Sequence, residues 1–254
     1  MSVAAQQPIA MVTGAGSGIG RAVALTLAQN GYALTLLGRK RDKLEAVAAD
    51  IAAQGGKAFI QTADVSVEAE VEAAFAAAQA HYGRLDLLFN NAGTSAPKAP
   101  FEEVSLRHFT RVLQTNVTGA FLCAQAAFRF MKAQQPQGGR IINNGSVSAQ
   151  VPRPQGTPYT VSKHAVTGLT KQISLDGRAW NIACGQIDIG NADTGVAANL
   201  EAGMLQADGS VQSEPIMPLQ SVAEAVLFMA RLPLHSNVQF MTVMATAMPF
   251  IGRG

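Results

Sequence analysis

The sequence predicts an α/β domain, a doubly wound parallel sheet of about seven strands with helices on both faces. Three observations carry that prediction. Short apolar runs alternate with longer helical patterns from Ile9 to about Val243, which is how parallel strands joined by crossover helices read. A glycine-rich turn stands between the first such run and the first helix. At 254 residues, 48% hydrophobic and 14% charged, the chain is long and apolar enough for one core without disulfides or metal. Residues 1–254 are therefore read as a single domain.

The elements follow in order. Ile9 to Thr13 is a buried-strand run, Gly20 to Gln29 a helix, Ala33 to Leu37 a strand and Asp42 to Gln54 a helix. Ala58 to Gln61 continues the alternation, followed by the alanine-rich helical stretch Val67 to His81 and the apolar run Leu85 to Phe89. Later come a strand at Arg140 to Asn143, a helix around Pro158 to Gly177 and a strand near Asn181 to Ile187. The run Val238 to Met244 reads as a final strand. Gly195 to Pro218, rich in turn formers and polar residues, breaks the alternation and is expected to form a loop over the site, at about 195–218.

Composition removes several function classes. Net charge is only +2, basic residues are scattered, and 3 Tyr and 1 Trp offer little for stacking, so a nucleic-acid partner is not expected. Cys123 and Cys184 are isolated, without metal-ligand or disulfide spacing, and are expected to be buried, inert thiols in a reducing compartment. No apolar run reaches about 18 residues and the first residues lack a targeting pattern. A cytoplasmic, soluble protein with no membrane partner and no metal is expected.

Two motifs carry chemistry. In Thr13-Gly14-Ala15-Gly16-Ser17-Gly18-Ile19-Gly20, a strand-to-helix turn can hold a pyrophosphate with amide hydrogens and the helix dipole, because glycine lets the phosphate approach closely. Tyr159 and Lys163, four apart, share a helix face. A phenol is a poor acid-base group near neutrality, and an ammonium held beside it favours the phenolate. Alone, that spacing also fits any amphipathic helix.

With Asp64-Val65, Asn90-Asn91-Ala92-Gly93, Asn116 and Ser146 in order between these motifs, nearly the whole chain resembles the short-chain dehydrogenase/reductase family. The resemblance implies a Rossmann fold and an NAD(P)-dependent oxidoreductase interconverting a ketone or aldehyde with an alcohol. It implies that Gly14, Ser17, Gly18, Ile19 and Gly20 hold the pyrophosphate, and that Asp64 and Val65 meet the adenine. Asn90, Asn91, Ala92 and Gly93 would line the adenosine ribose, and Gly190, Ala192 and Thr194 would approach the nicotinamide carboxamide. Ser146, thirteen residues before Tyr159, becomes the hydroxyl that binds the carbonyl oxygen; Ser148 has the wrong offset. Tyr159 transfers the proton, Lys163 holds the nicotinamide ribose, and Asn116 keeps a water in the proton path. His164 is left as a surface residue.

Gly38 stands where relatives preferring NAD carry a carboxylate, and Arg39, Lys40 and Arg41 follow. A guanidinium there can pair with a 2′-phosphate, so NADP(H) is preferred and NAD(H) is the alternative; Ser17 adds no support, since phosphate-preferring relatives often have a basic residue there. Ile189-Gly190 replaces the family's Pro-Gly, which puts the rigidity of the loop under the nicotinamide in question. Asp188 is read first as a strand-end turn residue, with a substrate contact as the alternative. Val151, Pro152, Leu200, Met204 and Leu205 suggest an apolar substrate wall or plain packing, and Arg153, flanked by prolines, a solvated turn or a contact for an acidic substrate. The final strand's exposed apolar ends point to a homotetramer, or a homodimer. Two other functions stay open: an NAD-dependent polyol or hydroxy-acid dehydrogenase, and a silent cofactor-binding regulator.

Overall fold

The structure is a computed structural model and describes residues 7–194 and 203–251. Its elements run β1 (Ile9–Thr13), α1 (Gly18–Gln29), β2 (Ala33–Gly38), α2 (Arg41–Ala53), β3 (Ala58–Thr62), α3 (Glu68–Tyr82) and β4 (Leu87–Asn90). There follow α4 (Leu106–Leu113), α5 (Gly119–Ala133), β5 (Gly139–Asn144), α6 (Thr157–Asp176) and β6 (Ile182–Ile189). The chain continues with β7 (Met204–Leu205), β8 (Val211–Gln212), α7 (Leu219–Arg231) and β9 (Phe240–Val243). Seven strands form one sheet in the order β3-β2-β1-β4-β5-β6-β9, and every pairing is parallel.

Burial on both faces explains why β1 and β4 read as near-continuous apolar runs rather than alternating ones; β6 is buried along its whole length too, with Gln186 and Asp188 among its residues. One face packs Ala10 and Val12 of β1 against residues of α1, α2 and α7, such as Val23, Leu44 and Val226. On the other face, Met11 and Leu88 meet Val71 and Phe75 of α3 and Cys123 and Ala127 of α5. Strand order reverses between β1 and β4, so the loops at their carboxyl ends part and open a crevice there.

Several elements differ from the sequence reading, which marked neither α4 nor α5. The run Leu85 to Phe89 is strand only from Leu87: Leu85 N donates to Gln134 Oε1, and Asp86 joins the neighbouring strands through its main chain, N to Ile9 O and O from Arg140 N, while its Oδ2 accepts from Ile9 N. Helix α7, which the sequence reading did not mark, carries its apolar stripe onto α1 through Val222, Val226 and Leu227. The expected loop from Gly195 to Pro218 is described from 203 onward, where β7 and β8 pair as a small antiparallel hairpin. Its first part, including Leu200, lies outside the described residues.

Candidate active site

The crevice holds two adjoining cavities. The larger, about 650 Å³, begins at the turn between β1 and α1, where Gly14, Gly16, Ser17, Ile19 and Gly20 line it. Gly18 has φ +52°, a backbone conformation that favours glycine. A Cβ on Gly20 would stand 2.2 Å from the Gly14 carbonyl oxygen, so only glycine lets α1 start this close to β1. Ser17 caps α1 with its backbone alone, its side chain making no capping bond, and the first turn holds no acidic residue. That leaves a positive helix end free to face an anion.

The cavity continues past Gly38, Arg39, Lys40 and Lys43 to Asp64 and Val65. Lys43 was missed by sequence reasoning: it sits two residues beyond the basic run, and the turn of α2 brings its Cβ to within 2.9 Å of where a Cβ on Gly16 would lie. Arg41 is not part of the cavity wall, its Nε being paired with Glu45 at 2.8 Å. Arg39 is 72% exposed and lies 3.7 Å from Asp64. Burial would raise the Asp64 carboxyl, but hydrogen bonds from Ser66 and the charge of Arg39 hold it below the ordinary carboxylate range.

Asn91, Ala92 and Gly93 close this side, while Asn90 turns to the face covered by α5 and donates to Ala120 O and Asn143 Oδ1. That corrects the placing of Asn90 beside a ribose. Strand alternation sends neighbouring side chains to opposite faces, and only one of the two asparagines can face the crevice. Asn91 spans it, donating to Thr13 O and accepting from Asn144 Nδ2.

The second cavity, about 360 Å³, is lined by Ser146, Ser148 and Tyr159. Ile19, Ser95, Asn144, Tyr159 and Thr194 border both cavities, so Tyr159 stands where the two meet. Lys163, 6% exposed, holds its Nζ 5.5 Å from the Tyr159 ring centre and donates to Asn144 O at 2.7 Å. Asn116 sits in a π-helical turn, Gln114–Thr118, between α4 and α5. Its amide donates to Thr94 O and Ser162 Oγ and its oxygen accepts from Thr94 N. His164 is exposed on α6, as the sequence reading has it.

Ser146 follows β5, and its hydroxyl accepts from Ser148 N at 3.1 Å. An acceptor position thus filled leaves the hydroxyl proton free to point at a ligand. Asp188, taken from sequence as a turn residue, is instead a buried clamp, 1% exposed. Its Oδ1 accepts from Ser146 N at 3.0 Å and Gln186 Nε2 at 2.7 Å, and its Oδ2 accepts from Gln150 Nε2 at 2.8 Å. The sequence held no signal for this, because Gln150 and Asp188 meet only through tertiary packing.

Ile189 stays in the sheet opposite Val243, and Gly190 N donates to Val243 O at 2.8 Å. Strand pairing therefore supplies the rigidity that a proline would have given this segment. Beyond it, Ala192 bridges to Met217, and Thr194 approaches the glycine turn, its Cβ 3.6 Å from a Cβ placed on Gly18. Of the expected apolar wall, Met204 lines the smaller cavity; Val151, Pro152 and Leu205 do not. Arg153 is no solvated turn, for its guanidinium pairs with Glu214 at 2.7 Å and donates to Asn191 Oδ1. Glu214, its side chain 2% exposed, also accepts from Asn191 Nδ2 and Gln206 Nε2.

A glycine turn at a helix end, leading along the switch point of a parallel sheet to a buried Ser and Lys and a half-buried Tyr, defines an NAD(P)-binding oxidoreductase of Rossmann type. Comparison with known proteins gives the same result. The family model described as short chain dehydrogenase matches residues 8–205. A 3beta-hydroxysteroid dehydrogenase of Mediterraneibacter gnavus is 34% identical over 221 residues, 87% of this chain and 79% of its own. Cis-4-hydroxycyclohexanecarboxylate dehydrogenase of Sinomonas cyclohexanicum is 34% identical over 91% of this chain and 92% of its own. The solved structure of an NAD+-bound xylitol dehydrogenase superposes with a TM-score of 0.86 at 29% identity, covering 93% of this chain and 97% of that one. The chain belongs to the short-chain dehydrogenase/reductase family and is an enzyme of the short-chain alcohol dehydrogenase type.

Proposed function

We propose that the protein is an NADP(H)-dependent oxidoreductase that interconverts a ketone or aldehyde and an alcohol, with Tyr159 as proton donor in reduction and proton acceptor in oxidation. The observation that carries this reading is the junction of the two cavities at Tyr159, with Ser146 lining the smaller. Relatives named for oxidising ring alcohols support the substrate class.

When bound, the nicotinamide supplies or accepts the hydride. The chain's residues do the rest. Gly14, Ser17, Gly18, Ile19 and Gly20 cradle the pyrophosphate, Asp64 and Val65 take the adenine, and Asn91, Ala92 and Gly93 the adjoining ribose. Gly190, Ala192 and Thr194 hold the nicotinamide end. Ser146 donates a hydrogen bond from its free hydroxyl to the carbonyl oxygen while Tyr159 delivers the one proton as negative charge develops there. Lys163 binds the nicotinamide ribose and supports Tyr159. Because the Asn116 side chain is spent on Thr94 and Ser162, a relay water is held by its main-chain carbonyl, which a π-helical turn displaces from the regular ladder.

Preference for NADP(H) rests on charge. Arg39, Lys40 and Lys43 line the adenosine end against a single carboxylate, Asp64, and Gly38 offers none to the ribose hydroxyls. We also infer a cytoplasmic homotetramer. Phe121 on α5, Val161 and Leu175 on α6, Phe228 on α7 and Phe240 on edge strand β9 are exposed, as an assembly would cover them. No helix among the described residues is long and apolar enough to cross a membrane. A carbonyl and alcohol panel run with both cofactors and followed by nicotinamide absorbance tests the functional reading. Turnover with no carbonyl or alcohol would overturn it, and light scattering that gives a monomer would overturn the assembly.

A further inference from the structure

The wall of the smaller cavity carries more positive than negative charge. Lys98 and Arg153 both line it. The carboxylate beside them, Glu214, is consumed: it takes Arg153 at 2.7 Å, Asn191 Nδ2 at 2.8 Å and Gln206 Nε2 at 3.0 Å. Arg153 is likewise committed, to Glu214 and Asn191 Oδ1. Lys98 is left over. Its Nζ donates to the Met204 thioether at 3.2 Å, a weak acceptor for an ammonium, and it enters no ion pair among the described residues.

We propose that the substrate carries an anionic group, a carboxylate or phosphate, which Lys98 binds at the end of the cavity away from its reacting carbon. This rests on the carbonyl–alcohol reading of the site. The surroundings of Lys98 fit such a ligand on two counts. Burial and then the charge of Arg153 push the Lys98 amine below its ordinary range, against the opposing pull of Glu214, while the residue stays exposed at the cavity wall, so its ammonium is open to an incoming anion. An anion from the substrate replaces the sulfur contact with a charge-assisted hydrogen bond. Arg153 then acts as a fixed positive wall, held in place by Glu214, rather than as the ligand's direct partner.

The test uses the full-length enzyme with NADPH and two matched pairs: 4-oxocyclohexanecarboxylate with its methyl ester, and 4-oxopentanoate with its methyl ester. The pairs separate charge from ring shape, and a γ-keto phosphate ester separates carboxylate from phosphate. Each acid is expected to exceed its ester in kcat/KM by about tenfold to a hundredfold, the range for a charge-assisted hydrogen bond. Lys98→Met is expected to collapse that ratio, chiefly through KM for the acid, and added salt to shrink it in the wild type. Reduction of acids and esters alike, or a ratio that survives Lys98→Met, overturns the inference while leaving the oxidoreductase reading in place. Failure of every carbonyl and alcohol to react overturns both.

Discussion

Replacing Asp188 with alanine tests whether this side chain holds the reacting serine. Three donors meet its carboxylate: Ser146 N, Gln186 Nε2 and Gln150 Nε2. They are not equally dependent on it. Gln186 Nε2 also reaches Thr167 Oγ1 at 3.0 Å, and Gln150 Nε2 reaches Thr242 Oγ1 at 3.4 Å. Only the main-chain N–H of Ser146 loses its acceptor outright. An orphaned buried donor costs about 1–3 kcal/mol, and two weakened bonds to a charged group add roughly another 1–2 kcal/mol. The sum, about 2–5 kcal/mol, falls within the stability of a domain this size. Asp188→Ala should therefore fold, with its Tm lowered by roughly 5–15 °C.

The kinetic consequence is more specific. A serine displaced by about 1 Å costs up to about a hundredfold in rate, so kcat for carbonyl reduction should fall about 10- to 100-fold while cofactor affinity, followed by fluorescence, stays put. Asp188→Asn keeps an oxygen for Ser146 N, and Gln150 can turn its own oxygen toward the new amide; most of the rate should return. In a Ser146→Ala background the Asp188→Ala loss in kcat should vanish, because both changes then act on one missing hydrogen bond. Equal losses in the two backgrounds would refute the clamp and leave Asp188 a packing residue.

Four further outcomes are expected. Tyr159→Phe should bind cofactor normally but lose about 10²- to 10⁴-fold in turnover, measured by steady-state absorbance; near-normal rates would remove Tyr159 as the proton group. Arg39→Ala should weaken NADPH by about tenfold or more and NADH far less, read from the two dissociation constants. Burial opposes ionisation of Glu214, but Gln206, Asn191 and Arg153 hold its carboxyl below the ordinary range. A depressed folded value means its stabilisation is full above the ordinary glutamate value of about 4.3 and lost as pH falls through the lower one; in thermal melts, the advantage of wild type over Glu214→Gln should shrink across that window. Cys123 and Cys184, both buried with thiols pushed up to about 12, should resist a thiol reagent at pH 8 until the protein is unfolded.

Much of this molecule was written locally. The strand–helix alternation, the glycine turn and the four-residue spacing of Tyr159 and Lys163 are properties of short segments, and the fold carries them in the predicted order. A strand buried on both faces must be apolar, and a turn that brings a helix this close to a strand must be glycine; each requirement is met within a few residues of chain. Asn90 and Asn91 show where that ends, because the sequence cannot say which of two neighbours faces the crevice. Packing decided it, turning Asn90 toward α5.

What only the tertiary structure decided are the contacts between distant segments. Lys43 reaches the cofactor cavity because α2 turns it there. Ile189, a departure from the family pattern, is steadied by Val243 across the sheet. Arg153, Asn191 and Glu214 come from three separate stretches to form one buried ion pair, and Asp188 reaches Ser146 from the adjoining strand. The reason is physical: local propensity and spacing fix elements and their faces, whereas a buried charge finds its partners only when those elements pack. The sequence by itself determined a nicotinamide-binding fold and the spacing of Ser146, Tyr159 and Lys163; packing determined how the serine is held and which charges line the smaller cavity.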